Sequence, residues 1–279
     1  MAFMKCSLLI GLLVHLTNGS PIEPQTEDFV PHIVGGVDAP DNYSPHAMAL
    51  TAGYHVNSLM CGASIISECH VLTAAHCIVP LVTWTGELST SLYGVYGSNK
   101  WESTEKRIQF SGYINHEKYD PFLFKYDIGV LFINGKLTRS EKWNIIPLNS
   151  EWIGAGHESY VTGWGRLWNW GPIPARLQLI YVKTMSGRRC AEGVAGAVPP
   201  GWSSPPVDPQ TEICTEHPKG EGFGVCNGDS GSALVSLKTK AQIGIVSWGF
   251  PCARGAPDVF MRVSAFIDFL RKIVNTCKK

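Results

Sequence analysis

The feature that most constrains the fold is a series of short apolar runs separated by turn residues. The runs are rich in β-branched and aromatic residues, with Gly, Pro and Asn between them; examples are ECHVLTAAH, IGVLFI, SYVTGWG, QLIYVKT and IGIVSWG. Short runs of this composition, bounded by turn residues, are typical of β-strands. The pattern predicts an all-β fold, either a sandwich or a barrel.

The last segment, SAFIDFLRKIVNTC, has a different period. Phe266, Leu270, Ile273 and Cys277 fall on one helical face behind Ser264, which we expect to cap the helix. An amphipathic C-terminal helix that packs on the β body is therefore predicted.

Three internal segments lack the strand pattern. The polar stretch LTRSEKWNIIPLNSEWIGAGHE is a candidate boundary between two halves of the β region. Residues 191–212 and the segment GRLWNWGPIP are rich in Gly, Pro or Trp, and we expect both to be surface loops. Each loop either meets substrate or packs against its own body.

The first 32 residues indicate export and processing. Lys5 precedes an apolar run from Cys6 to Leu16, and small residues follow, so residues 1–19 are expected to be a signal peptide cut before Ser20. A membrane anchor is the alternative, but the run is well short of the roughly 20 residues that a span requires. Residues 20–32 are polar and rich in Pro and acidic groups, as in a short pro-segment. We therefore expect a secreted, extracellular protein.

Charge and cysteine content restrict the partners and the compartment. Lys plus Arg number 23 and Asp plus Glu number 23, so no basic surface for nucleic acid or anionic lipid is implied. Loss of Cys6 with the signal leaves eight of nine cysteines, an even number that predicts four disulfides in an oxidising compartment. A metal site is a weak rival, because the chain has no Cys-x-x-Cys pair and no His-Glu-x-x-His motif.

Candidates for acyl transfer by a serine hydroxyl occur in three of these segments. His76 ends the apolar run in LTAAHC, Asp127 begins the run in KYDIGVLFI, and Ser230 lies in the tight turn GDSG. They supply a base, a group that orients it, and a nucleophile. The nucleophile elbow of α/β-hydrolases, G-x-S-x-G, does not fit, because Ser232 takes its last glycine position and His76 and Asp127 precede Ser230.

Six motifs in this order, IVGG, TAAHC, YDIGVL, TGWG, GDSG and SWG, resemble those of the chymotrypsin-type secreted serine proteases. The resemblance extends from Ile33 to the C-terminus. It implies two packed six-stranded antiparallel β-barrels, roughly residues 33–147 and 148–263, followed by the helix at 264–277. One departure is that Ser232 and Ala233 stand where the family pattern is GDSGGP.

The resemblance assigns a role to each candidate. His76 is the general base, Asp127 fixes its tautomer and stabilises the imidazolium, and Ser230 attacks the peptide carbonyl. The backbone N–H groups of Gly228 and Ser230 form the oxyanion hole. A protease-like binding or defence protein without turnover is the competing hypothesis, but its usual mark, a replaced triad residue, is absent.

The resemblance also implies that the chain is a zymogen. In the family, the residue at Asp229 forms a buried ion pair with the new α-amino group at the start of IVGG, here that of Ile33. Cleavage before Ile33 would then bring the oxyanion turn into its working shape. Because His32 stands where family zymogens commonly have Arg or Lys, the activator is expected to be a broad or chymotrypsin-like protease, or the protein itself.

Cysteine pairing follows from the resemblance for three of the four disulfides. The family pattern pairs Cys61 with Cys77, Cys190 with Cys214, and Cys226 with Cys252. Cys69 and Cys277 remain, and the apolar face of the terminal helix favours a bridge between them; two free thiols are the alternative.

Specificity is expected to lie in a pocket with Gly224 on one wall and Asp258 on the opposite wall. Trypsins have an aspartate at the position of Gly224, so simple trypsin-like recognition does not apply. A glycine with an aspartate opposite is similar to the broad-specificity collagenolytic serine proteases of arthropods, which accept basic and large apolar residues. If Asp258 instead pairs with Arg254 or with pocket hydroxyls, a chymotrypsin-like preference remains.

The strand SWG and the family pattern also define the partners. Ser247, Trp248 and Gly249 are expected to pair with the substrate backbone as an added strand. The resemblance implies a monomeric endopeptidase that meets protein or peptide substrates, an activating protease and protein protease inhibitors. The sequence shows no cofactor motif and no evident calcium loop, so we expect no cofactor and no metal, and from the charge balance and apolar runs neither nucleic acid nor a membrane as a partner.

Overall fold

The computed structural model describes residues 33–54, 56–138, 140–250 and 252–277. The predicted signal peptide at 1–19 and pro-segment at 20–32 lie outside these residues. In chain order the strands are β1 Val37–Asp38, β2 Ala47–Ala52, β3 Ser58–Ile65, β4 His70–Thr73, β5 Leu92–Tyr96, β6 Arg107–Ile108, β7 Phe110–Asn115, β8 Gly129–Ile133, β9 Glu158–Gly163, β10 Gln178–Met185, β11 Glu212–Glu216, β12 Ala233–Ser236, β13 Gln242–Trp248 and β14 Asp258–Arg262.

These strands form two barrel-like antiparallel sheets, which confirms the predicted fold class. The first sheet has the order β6-β5-β2-β3-β4-β8-β7. In the second, the order β10-β11-β14-β13-β12-β9 closes into a six-stranded barrel because β9 also pairs with β10. Each sheet adds one two-residue strand to six longer ones, namely β6 in the first and β1 in the second.

Each barrel has a core of β-branched and aliphatic side chains, which is why the short apolar runs become strands. Fully buried residues of the first include Met48, Leu50, Ile65, Leu72 and Leu131. The second barrel packs Val161, Ile180, Leu234, Ile243 and Phe260 together, and the side chain of Ile33 is buried in this second cluster. The IVGG segment is therefore docked on the second barrel, where β1 pairs with β10.

The described residues contain three α-helices, α1 Ala75–Ile78, α2 Gly187–Ala197 and α3 Ile267–Val274. The expectation of a loop throughout 191–212 is wrong at both ends, because α2 continues to Ala197 and β11 begins at Glu212. Ser186 caps this helix by accepting a hydrogen bond from the Arg189 N–H at 3.3 Å, and Cys190 and Val194, one turn apart, are buried. Capping and burial outweigh the helix-weakening glycines.

The C-terminal helix is shorter than the predicted span of 264–277. A 3₁₀ turn at Val263–Phe266 precedes α3, so Ser264 lies in that turn and does not cap the helix. Phe266, Leu270 and Ile273 are buried, as the apolar face predicted. None of the helices in the described ranges has the length and apolar character needed to cross a bilayer.

Four disulfides join the described cysteines, and they are the four pairs named from the sequence: Cys61–Cys77, Cys69–Cys277, Cys190–Cys214 and Cys226–Cys252. Cys69 directly precedes β4 and Cys277 follows α3, so their bridge fastens the C-terminal segment to the first barrel. Cys190–Cys214 fastens α2 to β11.

Candidate active site

His76 and Asp127 lie next to each other because the strands that lead to them are neighbours. β4 pairs with β8, with Thr73 opposite Gly129, so helix α1 begins beside the entry to β8. The His76 Nδ1 lies 2.7 Å from Asp127 Oδ2, and the His76 backbone N–H donates to Asp127 Oδ1 at 2.8 Å. Asp127 is fully buried, whereas 22% of the His76 side chain is exposed. The carboxylate therefore holds the imidazole with one ring nitrogen facing outward.

Ser247 has a contact that the sequence reasoning missed. Its hydroxyl donates to Asp127 Oδ2 at 2.5 Å, although the sequence suggested only a role in substrate pairing. The one available signal was a small hydroxyl side chain at the end of the apolar strand β13, where a buried polar group needs a partner. Asp127 thus accepts three hydrogen bonds, one from Ser247 and two from His76.

Ser230 lies in a turn held between the two barrels. Its carbonyl accepts a hydrogen bond from the Gly62 N–H at 2.7 Å, and the Gly231 N–H donates to the Val246 carbonyl at 2.8 Å. Gly231 has φ of 81°, and a side chain there would collide with Thr73 and Gly62. The nucleophile candidate is therefore fixed by one strand of each barrel, and only glycine fits after it.

The backbone donors of the predicted oxyanion hole are at Gly228 and Ser230. Gly228 has φ of 102°, a conformation that favours glycine. The neighbouring N–H groups are engaged, that of Asp229 with the Cys226 carbonyl at 3.0 Å and that of Ser232 with the Asp229 carbonyl at 3.0 Å. Within the described part of the chain, no protein group accepts from the N–H of Gly228 or Ser230, so both remain able to bind a developing oxyanion.

Asp229 is completely buried behind this turn. Its carboxylate accepts from the backbone N–H groups of Gly165 at 2.8 Å and Cys226 at 2.9 Å. Side chains at Gly163 or Gly165 would collide with it, which explains the glycines of TGWG. Burial raises the pKa of Asp229 to about 7, although the two hydrogen bonds act in the opposite direction.

Ser232 and the Cys61–Cys77 disulfide pack around the site. The Ser232 hydroxyl lies against the α-carbon of Gly62, and the side chain is 3% exposed, so it fills space between the barrels. The two sulphur atoms and a His76 ring nitrogen lie within 4.8 Å of one another. Because the sulphurs are bonded to each other, neither is a thiolate that would ligate a metal ion.

A cavity of about 380 Å³ opens beside His76 and Ser230. Of the predicted pocket residues, Ser247, Trp248, Gly249 and Asp258 line it, and Gly224 does not. The other lining residues are Phe124, Pro205, Val225, Cys226, Asn227, Val246 and Phe250; Phe124, in the loop before Asp127, is one that the sequence reasoning missed. His76 and Ser230 both face this cavity without a hydrogen bond between them, as is common before substrate binds.

Asp258 carries a carboxylate into this largely apolar cavity. The side chain is 7% exposed, and Oδ2 accepts from the Val225 N–H at 3.1 Å. Burial raises its pKa to about 7, with a smaller contribution from the charge of Asp229. No described residue, Arg254 included, forms an ion pair with Asp258.

Comparison with known proteins agrees with this geometry. The model of the trypsin family matches residues 33–270. Chymotrypsin-2 of Vespa crabro is 35% identical over 241 residues, which cover 86% of this chain and 99% of that protein. Trypsin I-P1 of Gallus gallus is 28% identical over 98% of this chain and all of its own length, and anionic trypsin of Bos taurus is 30% identical over 87% of this chain and 89% of its own. The chain therefore belongs to the trypsin family and is a serine endopeptidase.

Proposed function

We propose that this endopeptidase is exported as an inactive precursor, is activated by cleavage between His32 and Ile33, and then cleaves after both basic and large apolar residues. The observation that carries the specificity is the Asp258 carboxylate, which lines the same apolar cavity as His76 and Ser230. The four disulfides support export, because such bridges persist in oxidising compartments.

In the proposed reaction His76 takes the proton of the Ser230 hydroxyl as the oxygen attacks the peptide carbonyl. Asp127 holds the imidazole by Nδ1 and stabilises the imidazolium, and the N–H groups of Gly228 and Ser230 bind the oxyanion. His76 then gives its proton to the leaving amine, and an acyl-enzyme on Ser230 remains. Water, activated by the same imidazole, releases the acid product.

Activation follows from the burial of Asp229. The Gly165 and Cys226 N–H groups are its hydrogen-bond donors in the described residues, and neither carries a charge. A buried carboxylate without a cation is costly, and a new ammonium at Ile33 would supply one. The IVGG segment already contacts the segment that leads to the pocket: the N–H of Gly224, one residue before the lining residue Val225, donates to the Val34 carbonyl at 3.1 Å. Cleavage would thus strengthen the segments on which the oxyanion turn and the pocket depend.

Two features of the cavity support a mixed preference. Its walls of Val225, Val246, Trp248 and Phe250 suit a large apolar side chain. Asp258 adds a carboxylate that an incoming Lys or Arg side chain can neutralise in a partly dry pocket. The relatives carry the names of both chymotrypsins and trypsins, in line with a pocket of intermediate character.

A peptide-library profile of the activated enzyme tests this proposal. The profile is compared with those of Asp258→Asn, which keeps an oxygen acceptor for the Val225 N–H, and of Asp268→Asn, an acid on α3 whose side chain is 89% exposed. We expect Asp258→Asn to lose cleavage after Lys and Arg and to keep cleavage after Phe and Leu. An unchanged profile would show that Asp258 does not determine cleavage after basic residues, and a wild type that cleaves only after Phe and Leu would assign an apolar preference to the pocket.

A further inference from the structure

A buried carboxylate outside the catalytic residues connects two walls of the cleft. The side chain of Glu212, the first residue of β11, is 0% exposed. Its Oε1 accepts from Lys125 Nζ at 2.7 Å and from the Trp248 indole N–H at 2.9 Å, and its Oε2 accepts from the Asp208 N–H at 2.6 Å. The Lys125 ammonium also lies 5.3 Å from the Trp248 ring centroid.

The groups that Glu212 holds belong to different parts of the chain. Lys125 comes from the loop before Asp127 in the first barrel, whereas Glu212 and Trp248 belong to the second. The two neighbours of Lys125, Phe124 and Tyr126, both have φ of 51°. This conformation is uncommon for bulky residues and persists where the surroundings enforce it. The ion pair with Glu212 is one such constraint.

The residues fixed in this way face substrate. Phe124 and Trp248 line the cavity that contains Ser230, and the Phe124 ring packs edge-on against the His76 ring at 5.7 Å. Asp208 belongs to the segment that follows Pro205, a third lining residue. One carboxylate therefore sets the position of an aromatic wall from each barrel and of the loop between α2 and β11.

Building on the cleft proposed above, we infer that Glu212 is a positioning residue for the extended substrate. It orients Trp248 through the indole N–H. Through Lys125 it also holds Phe124, which lines the same cavity as Trp248. The residues of a peptide on the amino side of the scissile bond then pack between two fixed aromatic faces. Buried ion pairs contribute little to stability compared with apolar replacements, which agrees with a role in geometry.

Glu212→Gln tests this role with substrates of two lengths. Gln has one oxygen acceptor in place of two, so it cannot accept from Trp248 and Asp208 on separate oxygens as the carboxylate does. For a tetrapeptide anilide ending in Phe we expect KM to rise about tenfold, the effect of losing a hydrogen bond to a charged group. For a single-residue Phe anilide, which does not reach the walls, KM should stay within roughly twofold.

Glu216→Gln is the matched control. Glu216 ends the same strand, and its ion pair with Arg189, at 2.8 Å, has side chains that are 39% and 60% exposed. Rates are normalised to the concentration of Ser230 that an organophosphate titrates, so that a misfolded fraction does not lower the apparent kcat; KM is independent of that fraction. Glu216→Gln should change neither substrate by more than about twofold.

Trp248→Phe, alone and combined with Glu212→Gln, shows whether Glu212 acts through the indole. In the Trp248→Phe background the donor is gone, so Glu212→Gln should raise the tetrapeptide KM much less than in the wild type. Three outcomes would overturn the inference. They are an equal rise in KM for both substrate lengths, fully multiplicative effects on KM in the double variant, and an effect of Glu212→Gln no larger than that of Glu216→Gln. A wild type that turns over neither substrate after cleavage before Ile33 would instead refute the proposed activation.

Discussion

The carboxylate of Asp258 lies where a side chain on Gly224 would begin: a Cβ on Gly224 would come within 2.7 Å of Asp258 Oδ2. Of these two neighbouring residues, Asp258 lines the cavity beside Ser230 and Gly224 does not. The missing side chain at Gly224 therefore leaves the space that the Asp258 carboxylate occupies. Burial of the Asp258 carboxyl changes the pH at which it becomes charged.

The ratio of basic to apolar cleavage should rise with pH. Burial raises the pKa of Asp258 to about 7, so the carboxyl is mostly neutral at pH 6 and mostly charged at pH 8. The charged fraction increases from about a tenth to about nine-tenths between these values. We expect kcat/KM for a Lys peptide divided by that for a Phe peptide to increase accordingly, because any effect of pH on the catalytic step that both peptides share cancels in the ratio.

Asp258→Asn removes this titration. Its ratio should be low and flat from pH 6 to 8, whereas Asp268→Asn should follow the wild type. A wild-type ratio that does not change with pH would mean that Asp258 carries the same charge throughout this range.

Loss of the Ser247 hydroxyl should slow catalysis without blocking it. Ser247→Ala removes a hydrogen bond to the Asp127 carboxylate, and bonds to charged groups are worth about 1.5–3 kcal/mol. If that bond orients Asp127 for the imidazolium, kcat/KM for a short ester substrate should fall by about tenfold or more. Steady-state kinetics on titrated enzyme measure the effect.

Ser236→Ala is the comparison for this loss. Ser236 is also fully buried and bonds to His157 Nε2 at 2.8 Å, at the end of β12. It should change stability and leave kcat/KM near the wild-type value. Equal effects of the two substitutions on kcat/KM would show that the Ser247 hydroxyl has no special part in catalysis.

His46 should make the protein sensitive to mild acid. It is buried before β2, its Nε2 has no hydrogen-bond partner in the described residues, and burial lowers its pKa from 6.5 to about 4. The unfolded chain therefore binds a proton below pH 6.5 that the folded chain binds only near pH 4. This group costs stability progressively as pH falls from 6.5 to 4, by about 3 kcal/mol at the lower limit.

His46→Gln, which is neutral at every pH, isolates this contribution. Urea unfolding at pH 7 and pH 4.5 gives the free energy of unfolding of both proteins. Between pH 7 and pH 4.5, the free energy of unfolding of the variant should increase relative to that of the wild type by about 2–3 kcal/mol. Asp229 and Asp258 also titrate in this interval, but they contribute equally to both proteins. A pH-independent difference would contradict a buried neutral imidazole.

The sequence predicted features that depend on neighbouring residues and short motifs. His76 and Asp127 were placed at the ends of apolar runs, and those runs became the paired strands β4 and β8. Contacts between distant segments were not predictable in this way. Ser247 and Asp127 are 120 positions apart, and Lys125 and Glu212 are 87 apart, so no local pattern indicates that either pair meets.

The helix α2 shows a second kind of limit. Gly and Pro in residues 191–212 indicated a loop, yet the Ser186 cap and the burial of Cys190 and Val194 stabilise a helix through Ala197. Tertiary packing and the Cys190–Cys214 bridge decide this segment, and neither is visible in its local composition.

The most direct test of the central claim is organophosphate labelling of Ser230 before and after cleavage between His32 and Ile33. Trypsin should leave the Ile33 amine blocked, because His32 precedes the bond, so a chymotrypsin-like protease is used and N-terminal sequencing confirms the new end. Mass spectrometry of the peptide that contains CNGDSGSALV then measures the label. We predict rapid, stoichiometric labelling of Ser230 in the cleaved chain and little in the intact chain. Equal labelling of both forms would contradict activation by cleavage, and no labelling of either would contradict the assignment of Ser230 as the nucleophile.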